Sequence, residues 1–422
     1  MKRRTFLLGL GGAATLGYLA KPAPQGAPHD GYFLQWQQRL QQQGYGTPQL
    51  LIDRQRLIAN CQRLRDFFPS GKNYRVVAKS LPSVPLLKTV MDITGSHSLM
   101  AFHEPFLRVA VAEFPASDIL LGKPLPVSAA AHFYRHRPAN TFNDSAQLQW
   151  LIDSIERLQQ YLKLAQQLDR PLRVSLEIDV GLHRGGFDDL SIFSQALSVI
   201  GEHPEQLILG GLMGYDAQVG KLPAIVERAT ITAQKSQQRY REFVNTLQHH
   251  PAALWRDDLV LNSGGSGSLF FHGADSPAND LAAGSLLLKP QDFDLPALSE
   301  FTTAAFIATP VLKAFQGTRI PGPLPLGKLW QGWDSNRATS YFTYGGYWLA
   351  SPLSPTGLSA NSLYGHSTNQ MLFNGSGRQA LQVDDWIFFW PHQSEAVLLQ
   401  FGDLLTGDAD GSFQHWPVFS AT

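Results

Sequence analysis

Tyr74-Arg-Val-Val-Ala-Lys79 is a short strand-like run, apolar at Val76, Val77 and Ala78, that ends on a lysine. Seven further runs of this kind follow, at residues 98–102, 118–121, 140–142, 173–179, 207–212, 258–262 and 283–288. Residues 145–167 and 222–248, between them, carry apolar side chains at helical spacing with Gln, Lys and Arg on the outer positions. Strands alternating with helices predict a parallel sheet, and eight of them predict an α/β fold, a closed (β/α)8 TIM barrel over residues 48–295. Upstream, residues 57–68 read as an amphipathic helix. Residues 27–47 read as a linker and helix, with Gln37, Gln38, Gln41, Gln42 and Gln43 on a solvated face. Past Phe301 the helical pattern stops and aromatics, Gly and Pro dominate, as in Trp386-Ile-Phe-Phe-Trp390. Residues 296–422 are therefore expected to form a mainly-β domain.

The 422 residues hold 34 Lys or Arg against 34 Asp or Glu, which leaves no excess charge for nucleic acid. With 44% hydrophobic residues the chain is globular, and Cys61, the one cysteine, excludes an intrachain disulfide or a zinc site built on paired thiolates. Met1-Lys-Arg-Arg-Thr-Phe-Leu-Leu, with Arg3 and Arg4 ahead of an apolar stretch to Ala20, resembles a twin-arginine export signal, so residues 1–26 are read as a signal segment and the protein as periplasmic. That stretch is shorter than the ~20 residues of a permanent span, and no membrane span is expected. It also contains Gly9-Leu-Gly-Gly-Ala-Ala14, a formal dinucleotide-binding pattern. Lys21-Pro22-Ala23-Pro24 stops the helix that pattern requires.

Lys79 would stand at the C-terminal mouth of the barrel, where such barrels build their sites, among apolar neighbours that favour a Schiff-base amine. Taken alone, a strand-end lysine is most often solvent-facing. A second element changes that reading. Asn262-Ser-Gly-Gly-Ser-Gly-Ser268 follows the seventh run, where barrel phosphate sites commonly lie, and offers unhindered amides plus the hydroxyls of Ser263, Ser266 and Ser268. Gly284 and Ser285 begin the next run and complete the cradle. Glu177-Ile-Asp-Val-Gly-Leu-His-Arg-Gly-Gly-Phe187 brings His183 and Arg184 to the same rim, with Asp179 and Asp188 as competing carboxylate partners of Arg184. Leu209-Gly-Gly-Leu-Met-Gly-Tyr-Asp216 adds Tyr215 as a hydrogen-bonding group for a ring nitrogen. His132 and His136, at helical spacing without a third ligand, read as helix surface.

These blocks, in this order, resemble fold-type III pyridoxal-phosphate enzymes, those with an alanine racemase-like N-terminal barrel, and within them the D-threonine aldolase and D-serine dehydratase-like branch. Thr47-Pro-Gln-Leu-Leu-Ile-Asp53 is similar to that family's opening strand. The resemblance implies pyridoxal 5'-phosphate on Lys79, a cofactor site of Arg184, Tyr215, Ser263, Gly264, Gly265, Ser266, Gly284 and Ser285, and a homodimer. It also implies a D-amino-acid substrate cleaved by β-elimination or retro-aldol reaction. The branch carries a zinc site, but here His366-Ser-Thr-Asn-Gln-Met371 and Trp390-Pro-His-Gln-Ser-Glu-Ala396 supply no His/Cys pair. No metal ligand is assigned and no tightly bound zinc is expected. His392 and Glu395 are instead the candidate general acids for a leaving hydroxyl. The alternatives are a racemase, with Tyr341, Tyr344 or Tyr364 as second base, and a non-catalytic pyridoxal-phosphate holder.

Overall fold

A computed structural model describes residues 21–221, 225–319 and 331–420. The expected export segment and the Gly9–Ala14 pattern lie outside the described residues, apart from residues 21–26. The chain forms two compact units, each assembled from two separated segments. One runs to Leu51 and resumes over Ala305–His392, and the other joins Ile52–Ala304 to Gln393–Thr422.

In the second unit the strands are β2 (Asn73–Val77), β3 (Ser98–Ala101), β4 (Asp118–Leu121), β5 (Leu148–Ile152), β6 (Leu172–Glu177), β7 (Leu207–Gly214), β8 (Val260–Ser263) and β9 (Asp280–Ala283), after β1 (Gln49–Asp53), which straddles the division. β2 to β9 close into a barrel, all parallel, with Asn73 opposite Asp280 and Val76 opposite Ala283 at the seam. Helices follow each strand up to β7, and Asp53, Ser154 and Asp189 cap three of them by accepting from first-turn amides. The expected eight-stranded barrel is present, with two corrections to its strands. Residues 140–142 form no strand; the fourth barrel strand is Leu148–Ile152, wedged between a one-turn helix at Asp144–Gln147 and a helix at Ile155–Leu168, so it is masked by helical spacing on both sides. The eighth strand ends at Ala283, where residues 283–288 were expected to begin it, and Ser285–Leu287 is a 3-10 turn.

The barrel floor is polar. Arg75, 1% exposed, binds Asp280 through Nε and Nη2 at 2.8 and 2.9 Å and Asp118 at 2.7 Å, and Asn262 donates to Asp280. Buried charges demand such pairing.

The first unit holds β10 (Ala305–Gln316), β11 (Thr339–Tyr344), β12 (Ala350–Ser354), β13 (Ser359–Ala360), β14 (Gln370–Gly375) and β15 (Trp386–Pro391), all antiparallel. β10 pairs with β11 and β15, β14 joins β11 to β13, and β12 lies on β15. The helix Gly31–Gln42 seats Phe33 against Phe306 and Phe388, with ring centroids 5.4 and 4.9 Å away. Its Gln37 is not solvated as expected: it is buried and accepts the Trp386 amide at 2.8 Å.

The expected break at residue 295 is therefore not where the compact units divide. Residues after His392 return to the barrel unit, where they carry a short helix, Ser394–Val397, and a hairpin of β16 (Leu404–Gly407) and β17 (Phe413–Trp416). The reason is apolar: Phe419 packs on Phe106 at 4.9 Å, and its amide binds Pro82 O at 2.8 Å.

Candidate active site

A cavity of about 170 Å³ opens among the C-terminal ends of the barrel strands. Lys79 lines it from a 3-10 turn, Ala78–Ser80, directly after β2. Its Nζ lies 3.2 Å from Glu395 Oε1 and 4.8 Å from the centre of the Phe102 ring. The same Glu395 oxygen accepts from Ser80 Oγ at 2.8 Å, and Ser80 Oγ is in turn 3.0 Å from Ser285 Oγ. Glu395 is thus held from two sides, by an ammonium and by a hydroxyl relay. His392 belongs to the β unit, where its Nε2 is 2.7 Å from Ser351 Oγ; it is not among the cavity-lining residues. The two expected acids part there, and Glu395 is the one at the cavity.

The loop after β8 forms the opposite rim. Gly264, at φ +84°, turns the chain in the left-handed region that glycine tolerates. A Cβ on Gly265 would stand 2.8 Å from Tyr215 Cε2, so only glycine lets the loop lie against that ring. The amides of Gly265 and Ser266 donate to no backbone acceptor among the described residues. Of the three expected hydroxyls only that of Ser266 faces the cavity, and it accepts from the amides of Gly284 and Leu286. Ser263 instead donates to Gly214 O at 2.6 Å and Ser268 to Asp216 at 2.6 Å, because both are buried and need partners of their own. Gly284 is close-packed too, since a Cβ there would meet Val77 O at 2.8 Å.

Arg184 lies over the Tyr215 ring at 4.8 Å, and both line the cavity. Asp179 does not claim Arg184: His183 Nδ1 binds it at 2.7 Å, together with the amides of Gly181 and His183. Burial pushes the Tyr215 phenol up, against the opposing charge of Arg184, so its O–H stays a donor. Glu177, at the end of β6, is pushed up to about 7 by burial and by Asp153, with Arg184 opposing. Phe102, Met213, Lys221 and Phe293 also line the cavity and were not legible beforehand. A lysine six residues past Tyr215 in the same loop was the available signal for Lys221, whose Nζ lies 5.0 Å over Phe293.

The donor set fits pyridoxal 5'-phosphate: an amine for its aldehyde, glycine-loop amides and the Ser266 hydroxyl for its phosphate, Arg184 and Tyr215 for its ring. Among the described residues no three His, Cys, Asp or Glu side chains cluster as a metal site, and no helix is long and apolar enough to cross a membrane. His132 and His136 lie on one helix with their rings tilted and centroids 4.1 Å apart, and His132 is 3.3 Å from Glu104.

The family description "Alanine racemase, N-terminal domain" matches residues 52–289. Comparison with curated protein sequences returned no match. Among solved structures, D-threo-3-hydroxyaspartate dehydratase from Delftia sp. HT23 superposes with a TM-score of 0.69 at 16% identity, over 89% of this chain and 98% of that one. D-threonine aldolase from Filomicrobium marinum gives 0.66 at 16% identity, and alanine racemase from Bacillus anthracis with bound L-Ala-P gives 0.66 at 12%, each over 89% of this chain and 98% of the other. At these identities the likeness establishes the fold.

Proposed function

The chain belongs to the alanine racemase N-terminal domain family, whose members bind pyridoxal 5'-phosphate, and from that premise we propose that it is a lyase acting on β-hydroxy D-amino acids. The observation that carries this reading is Glu395 Oε1 at 3.2 Å from Lys79 Nζ. Racemisation needs two bases on opposite faces of the substrate, and a carboxylate in direct contact with Lys79 supports instead a shared role on one side. The two groups suit a cleavage in which one moves the Cα proton and the other attends the β-hydroxyl. Of the three tyrosines weighed as a second base, Tyr341 is 1% exposed, Tyr344 and Tyr364 are 40% and 45% exposed, and none is among the cavity-lining residues.

When bound, the cofactor supplies the electron sink that stabilises negative charge at Cα. Lys79 would hold the aldehyde of the cofactor, and its Nζ would take the Cα proton. Glu395, 3.2 Å from Nζ, would receive that proton from Lys79 and pass it to the departing hydroxyl, so that the Cα–H and Cβ–O bonds break and water leaves. Ser80, backed by Ser285, fixes the Glu395 carboxyl while this proton moves. Arg184 and Tyr215 orient the ring, and the loop after β8 anchors the phosphate.

The test is product analysis on D- and L-serine, threonine and alanine. A 2-oxo acid with ammonia, or glycine with an aldehyde, from a D-β-hydroxy substrate is expected, and Glu395→Gln should abolish it while cofactor stays bound. Conversion of D- to L-alanine as the principal reaction would make the protein a racemase, and no turnover of any substrate would make it a holder.

A further inference from the structure

Behind the phosphate loop lies a buried group of ionisable and hydroxyl side chains that the reaction does not use. Asp216, 2% exposed, follows Tyr215 directly. One of its oxygens accepts from Ser268 Oγ at 2.6 Å and the other lies 2.8 Å from His272 Nε2. On the far side of the imidazole, Nδ1 is 2.8 Å from Ser276 Oγ, which accepts the Ala278 amide at 3.3 Å. The Asp216 carboxylate can only accept, which assigns an N–H of His272 to Nε2 and points it at Asp216. Both carboxylate oxygens are thus engaged by donors from the segment after β8, whereas the carboxylate itself belongs to the segment after β7.

We propose that Asp216 is a positioning residue for the phosphate end of the cofactor: it clamps the loop of residues 263–268 to the chain bearing Tyr215. Ser263 ties the start of the loop to Gly214 O, and Asp216 ties its far end. Gly265 lies against the Tyr215 ring with no room for a side chain, and Ser268, two residues past Ser266, is the point where the loop turns back. Ser268 and Leu269 donate their amides to Gly265 O, so pulling Ser268 toward Asp216 draws the Gly265 peptide with it. The amides of Gly265 and Ser266, which donate to no backbone acceptor among the described residues, are thereby set in direction before any anion arrives, and such pre-organisation is what an anion site made of backbone donors needs. Asp216 is not among the residues that line the site cavity; it acts through Ser268.

This inference rests on the reading that the loop holds phosphate, and the experiment separates the two. Apo protein is titrated with pyridoxal 5'-phosphate and with pyridoxal, following quenching of tryptophan fluorescence. Wild-type protein that holds both equally would overturn the phosphate reading, and the clamp with it. Given a wild-type preference for the phosphate ester, Asp216→Asn and Ser268→Ala should each weaken its binding by about tenfold, the scale of one hydrogen bond to a charged group, and leave pyridoxal within about twofold. The double variant should bind no worse than Asp216→Asn alone, because the Ser268 contact acts only through that carboxylate. Equal losses for both ligands, or losses that multiply in the double variant, would reduce the group to ordinary core packing and overturn the proposal. Ser268→Ala deletes a single hydroxyl and decides the matter should Asp216→Asn fail to fold.

Discussion

Glu177 ends β6 with its carboxyl buried beside Asp153, and burial first, then the Asp153 charge, push its pKa from 4.5 to about 7. An acid whose folded pKa is raised holds its proton in the native state while the unfolded chain has released it. Its contribution to stability is therefore complete below about 4.5 and is lost as pH rises to about 7. Glu177→Gln should flatten this fall: between those pH values the melting temperature of the variant should decline less than that of the wild type. A parallel decline in both proteins would mean that Glu177 is ionised throughout. At the loop after β8, Gly265→Val drives a branched side chain into the Tyr215 ring and should cost pyridoxal 5'-phosphate at least about a hundredfold in affinity, at the scale of an overpacked site. Ser266→Ala, which leaves the backbone in place, should cost less than about tenfold. The reverse order in equilibrium binding would assign the anion to the hydroxyl and not to the amides.

The elements divide into those legible in the sequence and those that packing decides. β2 with Lys79, and β8 with its glycine loop, were readable because a strand ending in distinctive chemistry has few other meanings. β5 was not, since Leu148-Gln-Trp-Leu-Ile is flanked so closely by helices that any window wide enough to detect periodicity averages over all three. Nor was the pairing of Glu395 with the Lys79 turn: Ser80 and Glu395 are 315 positions apart, and only the fold brings them together. The seam between β2 and β9 was equally hidden, because its ion pair is buried where a barrel sequence suggests hydrocarbon. Asp280→Ala leaves Arg75 buried with one carboxylate in place of two and leaves Asn262 only the longer bond to the backbone carbonyl of residue 280. The expected loss is about 3–5 kcal/mol, read from the shift of the urea midpoint at constant slope. A loss under about 1 kcal/mol would show that Asp118 alone suffices to neutralise Arg75.

For the whole molecule, we propose export and self-association. Arg3→Lys with Arg4→Lys should retain the protein in the cytoplasm, as followed by cell fractionation, whereas unchanged secretion would exclude a twin-arginine route. Sedimentation should give twice the chain mass, with the exposed Tyr347 and Leu349 of the β unit, 61% and 47% accessible, as candidates for burial between copies. A monomer at micromolar concentration would remove the second proposal. The interleaving of the two units bears on how the protein is made. Strands β2 to β9 leave the ribosome long before residues 393–422, so the phosphate loop and Lys79 exist while the carboxylate that faces them has yet to be synthesised. On the proposed reaction, a nascent barrel would be equipped to capture its cofactor but not to turn over substrate, and translation itself would withhold Glu395 until the last stretch of chain is threaded home.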